Sequence, residues 1–206
     1  MTGTLGRTLA ALFVVQFLAW GAMFALWVYT APLMLARLAP GVGFDQPAAA
    51  PALTWVGACL ATYALVGAGL NFAQAALVRR LGRTAVYAAS LALAAAGIAV
   101  VAQAGQAPVF LAGFVLVGLG WSAIGSLPYA LAAEAAPAGG EARALNILGF
   151  SIVVPQASAA LALGPLARAG VSPASVIAVG AAAMLAAALV VVLTGLGRQA
   201  ASLRST

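Results

Sequence analysis

Few side chains in this sequence can do chemistry, and almost all of them sit inside apolar runs. Between Gly118 and Pro165 two such runs, GLGWSAIGSLPYALAAEAAP and ALNILGFSIVVPQASAALALGP, flank the short segment AGGEAR. Each run holds a proline well inside it, Pro128 and Pro155. Trp121, Ser122, Ser126 and Tyr129 surround the first; Asn146, Ser151 and Gln156 accompany the second. A proline inside a helix deletes one backbone hydrogen bond and crowds the carbonyl four residues back, here that of Ile124 or Ser151. In hydrocarbon a freed carbonyl persists only where protein or water re-satisfies it. Nearer the N-terminus, Gln16, Trp20 and Trp27 fall four and seven residues apart, close to one face of a helix. Kinked helices flanked by neutral polar and aromatic groups suit a small-molecule pathway. The same groups suit a bundle core in which polar side chains satisfy one another. Acid–base or nucleophilic chemistry is not expected. The only acids, Asp45, Glu134 and Glu141, lie outside the apolar interiors, His is absent, and Cys59 is the single cysteine. No metal cluster, cofactor site or enzymatic pair can be assembled from these residues.

The positioning elements follow from composition. Of 206 residues, 65% are hydrophobic and 6% charged, and the mean hydropathy is +1.13. A soluble domain carries about 25% charged residues, so the chain reads as an all-α, polytopic membrane protein whose first partner is the lipid bilayer. All nine basic residues are arginine, and the net charge is +6. They stand at the ends of apolar runs, a topological pattern, and no nucleic-acid partner is expected. Cys59 lies within an apolar run and has no intrachain partner.

Residues 8–36 are uncharged between Arg7 and Arg37, longer than the ~20 residues that cross a bilayer core and longer than the ~7–15-residue apolar region of a signal peptide. Gln16 then lies roughly 13 Å along the helix from Arg7, deep enough that it should face protein or a cavity. A Pro-, Gly- and Ala-rich loop over 37–51 leads to a second span, 52–78, with Asn71 and Gln74 near its end. Arg79, Arg80, Leu81, Gly82 and Arg83 form a tight basic turn. The uncharged stretch that follows breaks at Gln103–Pro108, giving spans 84–102 and 108–133. Gly118, Ser122 and Ser126 recur every four residues, a small-residue stripe that lets helices approach. Glu134 lies roughly 39 Å of helix beyond Pro108, hence at the membrane surface, where a loop arginine such as Arg143 or Arg80 would pair with it. Spans five and six are 144–167 and 173–196, within a single domain covering 1–206. Six spans bring Arg7, Arg79, Arg80, Arg83, Arg143, Arg198 and Arg204 to one side and Arg37 and Arg168 to the other. The positive-inside rule then places both termini in the cytoplasm of a cell membrane.

The order of motifs resembles the C-terminal six-helix half of a major facilitator superfamily carrier, and within that superfamily the sucrose/proton symporter group (glycoside-pentoside-hexuronide-like). The resemblance covers nearly the whole chain. It rests on Gln16-Phe17-Leu18-Ala19-Trp20 leading to Trp27-Val28-Tyr29-Thr30, on Trp55-Val56-Gly57, and on Arg79-Arg80-Leu81-Gly82-Arg83. Leu127-Pro128-Tyr129-Ala130-Leu131, Ile152-Val153-Val154-Pro155-Gln156 and Gly164-Pro165 complete it. The resemblance implies one half-bundle of a sugar/proton symporter, with a small-molecule substrate, a sugar, and candidate substrate-binding residues Gln16, Trp20, Trp27, Trp121, Ser122, Tyr129, Asn146 and Gln156. The sequence departs from the pattern at Thr54, where the family has an acid, and at Gly149, where it has Asn, with Asn146 one turn earlier as a stand-in. The family's coupling acid lies in its first six helices, and no acid of this chain lies within a span.

Alternating access in this superfamily uses two bundles. The chain is therefore expected to work with a second six-helix bundle, as a homodimer or with a separate N-terminal half. Two other readings stand beside this one: an inactive truncated carrier, and a non-transport membrane subunit whose small-residue faces bind partner helices.

Overall fold

The computed structural model describes residues 2–137 and 139–196, and the side chains within them apart from those of 2–5, 163 and 167. Arg198 and Arg204 lie outside the described residues. The described residues are mostly helical: α1 Thr2–Leu38, α2 Ala50–Leu81, α3 Arg83–Gln103, α4 Ala107–Ala135, α5 Glu141–Arg168 and α6 Pro173–Thr194. All six are long and apolar enough to cross a membrane, the architecture of a multi-pass membrane protein.

Local chemistry sets the helix ends. Prolines fall in the first turn of α2, α4 and α6, where the missing N–H would be unsatisfied in any case. The basic turn between α2 and α3 pivots on Gly82 at φ 81°, a conformation that costs glycine nothing. Ser172 caps α6 by accepting from the Ser175 N–H at 3.1 Å. The loop expected over 37–51 is shorter than that, because a 3-10 turn at Pro47–Ala49 runs directly into α2.

The α3–α4 pair is the most extensive contact of the bundle. α3 packs on α4 and α6, α1 joins α6 and α5, and α2 leans mainly on α4. Glycines set the closest approaches. A Cβ on Gly97 of α3 would stand 2.6 Å from the Gly113 carbonyl oxygen, and one on Gly113 would stand 2.9 Å from that of Gly97. Gly120 lies against the Ser90 carbonyl in the same seam. The stripe expected at Gly118, Ser122 and Ser126 divides. Gly118 does meet the α2 backbone, its Cβ position 2.8 Å from the Tyr63 carbonyl oxygen, whereas the two serines face a cavity. Tyr87, Phe110 and Phe114 are the largest fully buried side chains.

α2 and α5 are the least buried spans. Phe72 is 92% and Leu161 79% exposed, with Leu65, Phe150 and Val153 on the same outer surfaces. These two helices stand on either side of the opening described next.

Candidate functional site

The Pro128 position shapes α4 around its polar face. Ser126 Oγ donates to the Ser122 carbonyl at 2.6 Å, a back-bond that bends helices, two residues before the proline. Ser122, Gly125, Ser126 and Tyr129 consequently share one wall of a cavity of about 410 Å³. Trp20 of α1, Asn71 of α2, Trp121 of α4 and Ile152 of α5 supply the rest. Four helices thus meet at the cavity, and no charged side chain lines it.

Behind it lies an aromatic cluster. Trp121 touches Trp20 and Trp27 edge-on, with ring centroids 5.4 and 5.7 Å apart, and Tyr63 of α2 at 5.8 Å. Trp20 and Trp27 are themselves 6.0 Å apart. Edge-to-face contact matches the positive rim of one ring to the negative face of the next. It holds the Trp20 and Trp121 rings at the cavity wall.

The expected site residues separate into three groups. Trp20, Trp121, Ser122 and Tyr129 meet at the cavity. Trp27 stands in the aromatic cluster one layer back. Gln16 is fully buried in the bundle core, accepting from the Tyr87 hydroxyl at 3.3 Å, and so belongs to the α1–α3 packing rather than the cavity lining. On α5, Asn146 is exposed and Gln156 half-buried. Gln156 lies one turn beyond Ile152, which lines the cavity, and neither Asn146 nor Gln156 does. Pro155 explains the placement of this stretch: it packs on α1, 3.8 Å from where a Cβ of Gly21 would stand, so Ile152 is the α5 side chain turned to the cavity.

Asn71 completes the wall from α2, and Gln74 follows it one turn on. Gln74 Nε2 donates to Ser126 Oγ at 2.7 Å. Asn71 and Gln74 stand three residues apart near the end of an apolar span. Beyond the cavity, toward the basic turn, Glu134 pairs with Arg83. Arg83 opens α3, which packs along α4, and so reaches the end of that helix, while Arg80 belongs to α2.

Gln16 Nε2 and the indole nitrogens of Trp20 and Trp27 are buried without a hydrogen-bond partner. Among the described residues no group of His, Cys, Asp and Glu is placed to hold a metal ion. The arrangement offers hydroxyl, amide and indole hydrogen bonds beside aromatic faces, and no side chain poised to lose and regain a proton. No protein-family model, curated protein or solved structure matches this chain.

Proposed function

We propose that this chain is one six-helix bundle of a carrier of the major facilitator type, moving an uncharged, hydroxylated small molecule, a sugar by resemblance, together with a second six-helix bundle. The observation that carries the reading is the uncharged, indole-walled cavity shared by α1, α2, α4 and α5. Hydroxylated rings bind by hydrogen bonds to neutral groups and by stacking on aromatic faces, and Asn71, Ser122, Tyr129, Trp20 and Trp121 supply both.

A surface feature of α2 supports the second bundle. Gly57, Ala61, Ala64, Ala68 and Ala75 are all exposed and follow one line along the helix that passes through Asn71 at the cavity edge. Small residues at this spacing let another helix backbone come close. A helix seated there would also close the cavity. The bundle lies in a cell membrane with both termini cytoplasmic, on the arginine distribution.

The test is purified protein in liposomes, alone and with a second bundle, with oligomeric state measured in the same membranes. Substrate binding should weaken at least tenfold in Trp121→Ala and Tyr129→Phe. The chain alone should give no concentrative uptake under a pH gradient, because its three acids lie outside the cavity. Concentrative sugar uptake by the chain alone, collapsed by a protonophore, would overturn the reading.

A further inference from the structure

We propose that Gln74 is a latch: its hydrogen bond to Ser126 sets the separation of α2 and α4 at the basic-turn end of the cavity and so controls entry to it from that side. Two of the contacts between α2 and α4 differ in kind. The first is dry and steric. A Cβ on Gly67 would stand 2.9 Å from Trp121 Cδ1, and the Cβ position of Gly118 is 2.8 Å from the Tyr63 carbonyl oxygen. The second, seven residues or about 10 Å further along α2, is the 2.7 Å bond from Gln74 Nε2 to Ser126 Oγ. Asn71 lies between the two points, and both Asn71 and Ser126 line the cavity.

The two points respond differently to strain. The glycine contact is interlocked backbone and ring, and cannot open without moving Trp121 out of its cluster. The polar contact breaks when one amide turns away. Past it, α2 carries the exposed Arg79 and Arg80 and ends at Gly82 at φ 81°; Leu77 and Val78 are only half-buried against the core, so this end of the helix can pivot about Gly67 once the amide lets go. Ser126 is also held on its other side, because its proton is given to the Ser122 carbonyl. Gln74 fills a lone pair of the same oxygen. With Gln74 in place, Ser126 faces the cavity with its proton committed. When the latch opens, Asn71 moves with α2 and the cavity widens between Asn71 and Ser126.

The inference rests on this geometry alone and holds whether or not the cavity carries a solute. It is tested with a reporter thiol, Asn71→Cys in a Cys59→Ser background, in the full chain in detergent or lipid. Reaction with a water-soluble maleimide reads access to the cavity. Gln74→Leu should raise the labelling rate about fivefold, the effect expected from losing one interhelical hydrogen bond in a membrane protein. The exchanged pair Gln74→Ser with Ser126→Gln should return it to the starting rate. A reporter at Thr54→Cys, exposed on the same helix but beyond the glycine contact, should be unchanged. Unchanged labelling at position 71 in Gln74→Leu, an equal rise at position 54, or failure of the exchanged pair to restore the rate would each overturn the latch.

Discussion

Adding one methyl group at Gly97 should unseat the α3–α4 pair. The Cβ of Gly97→Ala would lie 2.6 Å from the Gly113 carbonyl oxygen, 2.7 Å from the Val117 nitrogen and 2.9 Å from Leu116 Cβ. The first two are backbone atoms and cannot rotate away. Ordinary contact needs at least 3.4 Å, so α3 and α4 must part by most of an ångström at their crossing. A radial gap of about 0.5–1 Å forfeits roughly a quarter to a half of the dispersion attraction between facing atoms. In lipid that attraction, rather than the hydrophobic effect, holds helices together. Overpacking of this kind costs about 1–3 kcal/mol. The methyl also restricts the unfolded chain, which returns about 0.4–1 kcal/mol. The balance is a net loss, read as a midpoint lower by several degrees in thermal unfolding followed by tryptophan fluorescence. Gly69→Ala is the internal control. It lies in a membrane-spanning helix, nothing stands within 4 Å of its Cβ position, and it should keep only the small gain. If both variants move the midpoint in the same direction, the glycine seam is not what holds α3 on α4.

Two further outcomes are expected. Gln16→Leu strands the buried Tyr87 hydroxyl and should destabilise by about 1–3 kcal/mol, whereas Gln16→Leu with Tyr87→Phe removes both partners and should recover most of it; a double variant as unstable as the sum of the singles would show that Gln16 serves something other than Tyr87. Thiol labelling in a Cys59→Ser background should reach Gln103→Cys from outside the cell and Ala142→Cys only after permeabilisation, and outside labelling at position 142 would invert the topology.

How far the sequence could be read depended on which property was local. Helix number was legible, because charge, proline and the polar break at Gln103–Pro108 act on neighbouring residues. The Gly82 turn was legible for the same reason. The cavity was legible only in part. Trp121, Ser122 and Tyr129 were marked by type and by proximity to Pro128, and Trp20 by its spacing from Gln16 and Trp27. Gln16 has the same type and depth, yet a residue's depth in the membrane does not say which neighbour it meets. Gln16 meets Tyr87, seventy-one residues away, a pairing fixed by how α1 and α3 pack, and a single sequence carries no record of that. The Arg83–Glu134 pair was missed for a related reason: three arginines share one turn, and only the path of α3 along α4 selects among them.

The small residues make the same point about faces. On α4 a four-residue period ran through Gly118, Ser122 and Ser126, and periodicity alone read it as one packing surface. In the folded bundle the tightest seam is instead the Gly113 and Gly120 face against α3, while the two serines turn to the cavity. The distinction is chemical. A glycine contributes nothing but proximity, so it can lie at the closest contact. A serine hydroxyl in lipid needs a partner, and here Ser126 has one on each side, Gln74 and the Ser122 carbonyl. Small size places both residue types near another helix; the demand for hydrogen bonding decides which of them lies in a dry seam and which at a polar opening. By that criterion the exposed Gly57–Ala75 line of α2, apolar except at Asn71, has the character of a dry seam that a partner helix would complete, with its one polar residue at the edge of the cavity.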